Sequence, residues 1–166
     1  MSDVFPPSIV PGREPGDPAA LTACADVAVA FCELLDAGDV GAAFELHDPA
    51  LAFFPPGAPA PLDRAAARAA GERMVHAYPG RRTQHVMGNF IASQAGRDRV
   101  EAQYTVTVYE LTRQGAGGAE ELRTPVVFAI AHERAVFARG EDGRWRYVEQ
   151  RMIPVAPRNP FDGAAA

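Results

Sequence analysis

The sequence predicts an α+β fold: three N-terminal helices packed on a strongly curved, mostly antiparallel sheet that rolls into a cone. Three observations predict it. Apolar residues recur at helical spacing as far as Ala77. From Thr83 the period changes to two, with β-branched and aromatic residues alternating with polar ones. Turn residues divide this second half into four long strands. Long antiparallel strands curl, and helices on one side then cover a concave face and enclose a pocket.

Each element has a local reason. Residues 1–18 hold five prolines and two glycines and few large apolar groups, which predicts a poorly ordered arm. Asp17-Pro18 opens the first helix, with a side-chain acceptor at the N-cap and a proline at the first position. Val27, Phe31, Leu34 and Leu35 form its apolar stripe, and Gly38 ends it. Asp39 caps a short second helix to Leu46, which Asp48-Pro49 breaks. Ala50 to Phe54 reads as a short strand stopped by Pro55-Pro56-Gly57. Asp63 caps a third helix to about Ala77, with Ala67, Ala70, Met74 and Ala77 as its buried stripe, and Tyr78-Pro79-Gly80 stops it. The strands follow: Thr83 to Ser93, Arg99 to Arg113, Leu122 to Arg139 and Arg144 to Pro154. Their connections are Gly96-Arg97-Asp98, a glycine-rich loop from Gln114 to Ala119, and Gly140-Glu141-Asp142-Gly143. The domain is expected over 19–154, with a patternless tail over 155–166.

Composition narrows the partners. A chain of 166 residues has room for one domain. Its net charge of −5 and scattered basic residues argue against a nucleic-acid surface. No apolar run reaches the ~20 residues of a bilayer span, and the N-terminus lacks a cationic start followed by an apolar stretch. No membrane partner is expected. Cys24 and Cys32 lie eight residues apart in the first helix. That spacing is about 12 Å along the axis, too far for a disulfide. With no Cys/His cluster to hold zinc, both are expected as buried thiols in a cytoplasmic protein.

The segments "LLDAGDVGAAFELHDPALAFF", "RRTQHVMGNF" and "GEDGRWRYVEQRMI" give the chain a resemblance to a known family. It resembles the nuclear-transport-factor-two-like superfamily over roughly residues 20–154, and most of all its SnoaL-like branch. That branch includes scytalone dehydratases, relatives of bile-acid dehydratases and polyketide cyclases. The resemblance implies a cystatin-like roll around a small-molecule pocket. "TQHVMG" resembles the scytalone-dehydratase strand that supplies a catalytic histidine, and the match lands on His85. In that family an aspartate near the end of the first helix pairs with the histidine; here the position is Asp36. Two features depart from the pattern. Leu35 stands where the family has tyrosine, and the next strand offers Tyr104, Tyr109 and Glu110 in place of a second histidine. The ketosteroid-isomerase pattern needs a carboxylate near Phe53 to Pro56, and there is none.

The chemistry of the residues points the same way. Imidazole titrates near neutrality, so His85 can take a proton α to a carbonyl and return one to departing hydroxide. A carboxylate at Asp36 would orient the ring and stabilise its charged form. Thr83, His85, Met87 and Asn89 share one strand face, where Asn89 can hold a substrate oxygen. Arg151 can receive an anionic group, and Phe53, Phe54, Tyr104 and Phe128 are pocket wall or core. The candidate substrate-binding set is therefore Asn89, Tyr104, Phe54, Met87 and Arg151. His47-Asp48 reads as a helix-end turn, and His76 as a solvated residue near a helix C-terminus. His132 and Glu133 are adjacent in a strand and point to opposite faces. Gly115 to Gly118 lacks the lysine and helix of a phosphate loop.

The expected function is a cofactor-independent lyase, of dehydratase or cyclase type, acting on a small apolar oxygenated metabolite with no metal. The rivals are a non-catalytic binding or assembly module with the same pocket, and a structural partner resembling the small subunit of ring-hydroxylating dioxygenases. The outer sheet face predicts a homodimer, with a trimer as the alternative.

Overall fold

The structure is a computed structural model that describes residues 16–56, 58–77, 82–111, 113–114, 121–122 and 125–155. Most of the expected arm and tail, the stop at Tyr78-Pro79-Gly80 and nearly all of the glycine-rich loop lie outside these residues. The helices are α1 (Pro18–Asp36), α2 (Val40–Glu45) and α3 (Arg64–Ala77). The strands are β1 (His47–Phe54), β2 (Arg82–Gly96), β3 (Arg99–Leu111), β4 (Arg113–Gln114), β5 (Glu121–Leu122), β6 (Val126–Arg139) and β7 (Trp145–Pro154). Five strands form one sheet in the order β1-β7-β6-β3-β2, and β4 pairs with β5 in a separate two-stranded ribbon. Every pairing in the large sheet is antiparallel except β1 with β7. The fold is α+β, as the change of period predicts.

Capping sets the helix starts. Asp17, Asp39 and Asp63 accept bonds from the backbone N–H groups of Ala19, Ala42 and Ala66 at 3.0, 2.9 and 2.8 Å. Helix α1 ends in a Schellman motif. Gly38 N–H donates to Leu35 C=O at 3.0 Å and Asp39 N–H to Leu34 C=O at 2.9 Å. Gly38 needs φ = 79° for this. Gly38→Ala is therefore expected to cost about 1–2 kcal/mol in denaturant unfolding, because a Cβ is strained in the left-handed region.

The buried face of α1 differs from the expected stripe. Phe31 is buried, but Val27, Leu34 and Leu35 are only partly so, and the inner seam is Ala20, Cys24, Ala28 and Cys32. Small side chains let the helix lie close to the sheet. By length and composition α1 could cross a membrane, contrary to the expectation of no such run. Here it packs on the sheet through that seam. Both cysteines are free and buried.

Helix α3 buries only Ala67, not the whole expected stripe. It packs on β1 and α2, where a Cβ at Gly71 would meet Val40 Cγ1 at 3.0 Å. Ala70 and Met74 face the cavity instead of the core, and Ala77 is exposed.

Alternation builds the core side of the sheet. Val100, Ala102, Tyr104 and Val106 on β3, and Ala129, Ala131, Glu133, Ala135 and Phe137 on β6, are all buried. Of the irregularities in the sheet, three bear on the cavity. One lies on β2 between Gly88 and Ile91, one on β6 at Phe128, and one on β7 at Val148.

Candidate active site

The open side of the sheet, α1 and α3 enclose a cavity of about 960 Å³. Its walls are mostly apolar, with a few polar groups, the usual make-up of a small-molecule site.

Asp36 and His85 meet on this wall. The Schellman turn fixes Asp36 as the last residue of α1, and β2 brings His85 to it. His85 Nδ1–H donates to Asp36 Oδ1 at 2.6 Å. The backbone N–H of His85 donates to Asp36 Oδ2 at 2.8 Å, and Thr83 Oγ1 donates to Oδ1 at 3.5 Å. One carboxylate thus fixes both the ring and the strand that carries it. In the neutral ring whose Nδ1 carries the bonded proton, Nε2 has a free lone pair, and no hydrogen-bond partner meets it among the described residues. The side chains are 16% and 23% exposed, so the pair is shielded but reachable.

The expected substrate-binding set is only partly assembled. Tyr104 lies on the wall, but its hydroxyl is taken by Tyr147 Oη at 2.9 Å. Burial raises both phenols well above their ordinary range. Met87 keeps the inward alternation but packs against the core cluster instead of lining the cavity. Asn89 does not share the face of His85, because the strand is irregular there. Asn89 has φ = 53° and is exposed, outside the cavity wall. Phe54 and Arg151 are register partners away from the cavity, and the Arg151 guanidinium sits 3.7 Å from the centroid of the Phe54 ring.

A second polar group was not anticipated. Glu133 lines the cavity at 3% exposure, and its Oε2 accepts from Gln150 Nε2–H at 3.3 Å. Gln150 Oε1 in turn lies 2.8 Å from His47 Nε2. His47 is fully buried and stacked between Phe44 and Tyr147, with ring centroids at 5.0 and 4.6 Å. The alternation of β6 carries a signal for Glu133: a lone carboxylate in the row Ala129, Ala131, Ala135 and Phe137. No pattern revealed Gln150 with Tyr147. They face inward together only because of the bulge at Val148. The turn bond expected for Asp48 is present, from Ala50 N–H at 2.9 Å, but His47 beside it is core. His132 points to the other face, with Thr105 Oγ1 3.2 Å from its Nδ1.

Burial shifts these groups in opposite senses. It pushes the Glu133 carboxyl up to about 8, partly offset by the Gln150 bond, and the His47 ring down to about 4. Burial, then the charges of Glu133, Asp36 and Glu33, push the Cys32 thiol up to about 12, so it is not a ready nucleophile. The fold keeps a proton on Glu133 that the unfolded chain releases above pH 4.5, so this group lowers stability as pH rises from about 4.5 to 8. The fold refuses a proton that unfolded His47 takes below 6.5, so this group lowers stability as pH falls from 6.5 through 4. Between 4.5 and 6.5 the two slopes oppose each other. Urea titrations of Glu133→Gln across this range are expected to remove the alkaline loss and leave the acidic one.

Among the described residues, no group of three or more His, Cys, Asp or Glu is placed to hold a metal ion. No match is found among curated proteins. Solved structures share the fold. ActVI-ORFA from Streptomyces coelicolor superposes with a TM-score of 0.69 at 14% identity, covering 86% of this chain and 99% of that one. A candidate scytalone dehydratase from Novosphingobium aromaticivorans superposes with a TM-score of 0.69 at 11% identity, covering 85% and 87%. A Nostoc punctiforme protein of unknown function with a cystatin-like fold gives 0.68 at 16% identity, covering 89% and 99%. The model of the SnoaL-like domain matches residues 19–151, nearly all of the described chain, and the protein belongs to that family.

Proposed function

We propose that the protein is a cofactor-independent lyase of the dehydratase or cyclase type, acting on a small, largely apolar, oxygenated metabolite. The observation that carries this reading is the 2.6 Å bond between His85 Nδ1 and Asp36 Oδ1 on the wall of the cavity. Asp36 holds the ring with Nε2 as the acceptor. Nε2 removes a proton α to a substrate carbonyl, and the electron pair of that C–H bond moves toward the carbonyl as an enolate. The pair then returns to form the C=C bond as the β C–O bond breaks. The imidazolium hands its proton to the departing hydroxide, which leaves as water. The Asp36 carboxylate stabilises the imidazolium between the two transfers. Membership of the SnoaL-like family, and the fold shared with a candidate scytalone dehydratase, support the choice of reaction.

The test is water loss from a panel of β-hydroxy ketones fused to an aromatic ring, followed by the absorbance of the conjugated product. The expected result is turnover of at least one member by the wild type and its loss in His85→Ala. Tight binding of panel members with no turnover in either protein would favour a non-catalytic binding module.

A further inference from the structure

The cavity has a polar group at each end. Cross-strand register places His85 opposite Val108 on β3, and Val108 opposite Ala129 on β6. Glu133 lies four residues further along β6, opposite Tyr104. That is about 13 Å along the strand and two strand spacings across the sheet. Exposure falls in the same direction: Arg82 is exposed, His85 is half-buried and Glu133 is buried. Beyond Glu133 the row continues into the fully packed Phe137. Glu133 therefore marks the inner end.

The carboxyl group there is incompletely satisfied. Oε2 accepts from Gln150, whose amide is fixed in turn by His47. Oε1 has no hydrogen-bond partner, and no cation pairs with the group, among the described residues. With its proton on Oε1, a neutral Glu133 keeps the Gln150 bond at the better acceptor, the carbonyl oxygen Oε2. That leaves one O–H donor at the inner end of an otherwise apolar recess. A ligand hydroxyl or carbonyl that reaches this wall would complete its hydrogen bonding.

We infer that Glu133 and Gln150 form a distal binding subsite for a neutral oxygen, hydroxyl or carbonyl, at the end of the substrate remote from the reacting carbon. The substrate is then elongated, with an apolar body and oxygen functions at both ends. A compact molecule would satisfy only one end. This inference deepens the lyase reading and rests on the same cavity being the substrate pocket.

The test compares two unreactive probes, 4,4′-dihydroxybiphenyl and 4-hydroxybiphenyl, by calorimetric titration of the full chain. The wild type is expected to bind the dihydroxy probe about fivefold tighter, the equivalent of one ordinary hydrogen bond. Glu133→Leu should bind both probes equally, while Glu133→Gln, which keeps a donor and an acceptor, should retain the preference. Thermal melts establish that both variants are folded. Equal affinities in the wild type, no binding of either probe, or a preference that survives in Glu133→Leu would each overturn the subsite. Neither probe can lose water, so the outcome is independent of the His85 chemistry, whose failure appears only in the turnover assay.

Discussion

Replacing His85 with alanine is expected to lower kcat by about 10²–10⁴-fold, the range in which a positioned general base contributes. The fold should be untouched. The side chain lies on the cavity wall and not in the packed core, and the variant keeps the backbone N–H that donates to Asp36 Oδ2 at 2.8 Å. Thermal melts should therefore superpose on those of the wild type within about 2–4 °C, the shift that ~1 kcal/mol brings in a chain of this size. Asp36→Asn is the companion variant. An amide can present N–H as readily as C=O to Nδ1, so the ring loses its enforced tautomer and the charge that stabilises its protonated form. A turnover loss in Asp36→Asn with substrate affinity intact would place the carboxylate in the chemistry. Unchanged turnover in both variants would remove the dyad from it.

The largest stability effect is expected at Tyr147. Its ring is fully buried, with centroids 4.4 Å from Phe137, 4.6 Å from His47 and 5.7 Å from Phe31. It therefore ties β7 to β6, β1 and α1 at once. Tyr147→Ala should cost roughly 3–5 kcal/mol through the cavity it leaves, and lower Tm by about 10 °C or more. Tyr147→Phe isolates the hydroxyl. It strands the Tyr104 Oη that now lies 2.9 Å from its partner, at a cost of about 1–3 kcal/mol. Adding Tyr104→Phe should recover most of that loss, because removing both partners leaves no buried group unsatisfied. Failure of the double variant to recover would mean that the hydroxyl pair contributes through something other than mutual satisfaction.

The sequence was informative where local chemistry decides structure. Three aspartate N-caps and Gly38 mark the helix ends because each supplies a bond or a backbone angle that few other residues supply. The change of period at Thr83 marks the sheet because alternation is imposed by the pleat. The dyad was legible by resemblance, through "TQH" and "LLDAGD", since neither periodicity nor spacing connects Asp36 with His85 across 49 positions. What was not legible depends on interruptions of the pleat. Asn89 leaves the face of His85 at the β2 irregularity, and Tyr147 and Gln150 share the inner face across the Val148 bulge. Each bulge adds one residue and reverses every side chain beyond it, a shift that alternation cannot register. The α1 seam was missed for a different reason. Alanine and cysteine read as weakly apolar, yet close approach to the sheet favours small side chains.

The central claim is that His85 Nε2, held by Asp36, removes a proton from carbon next to a carbonyl. The most direct measurement uses a saturated ketone from the same aromatic-fused series, lacking the leaving hydroxyl, incubated with the protein in D2O and followed by proton NMR. The account predicts loss of the α-proton signal faster than in buffer with the wild type, and at the buffer rate with His85→Ala. A ketone that binds in the cavity, shifts its own resonances and yet exchanges no faster than in buffer would contradict it.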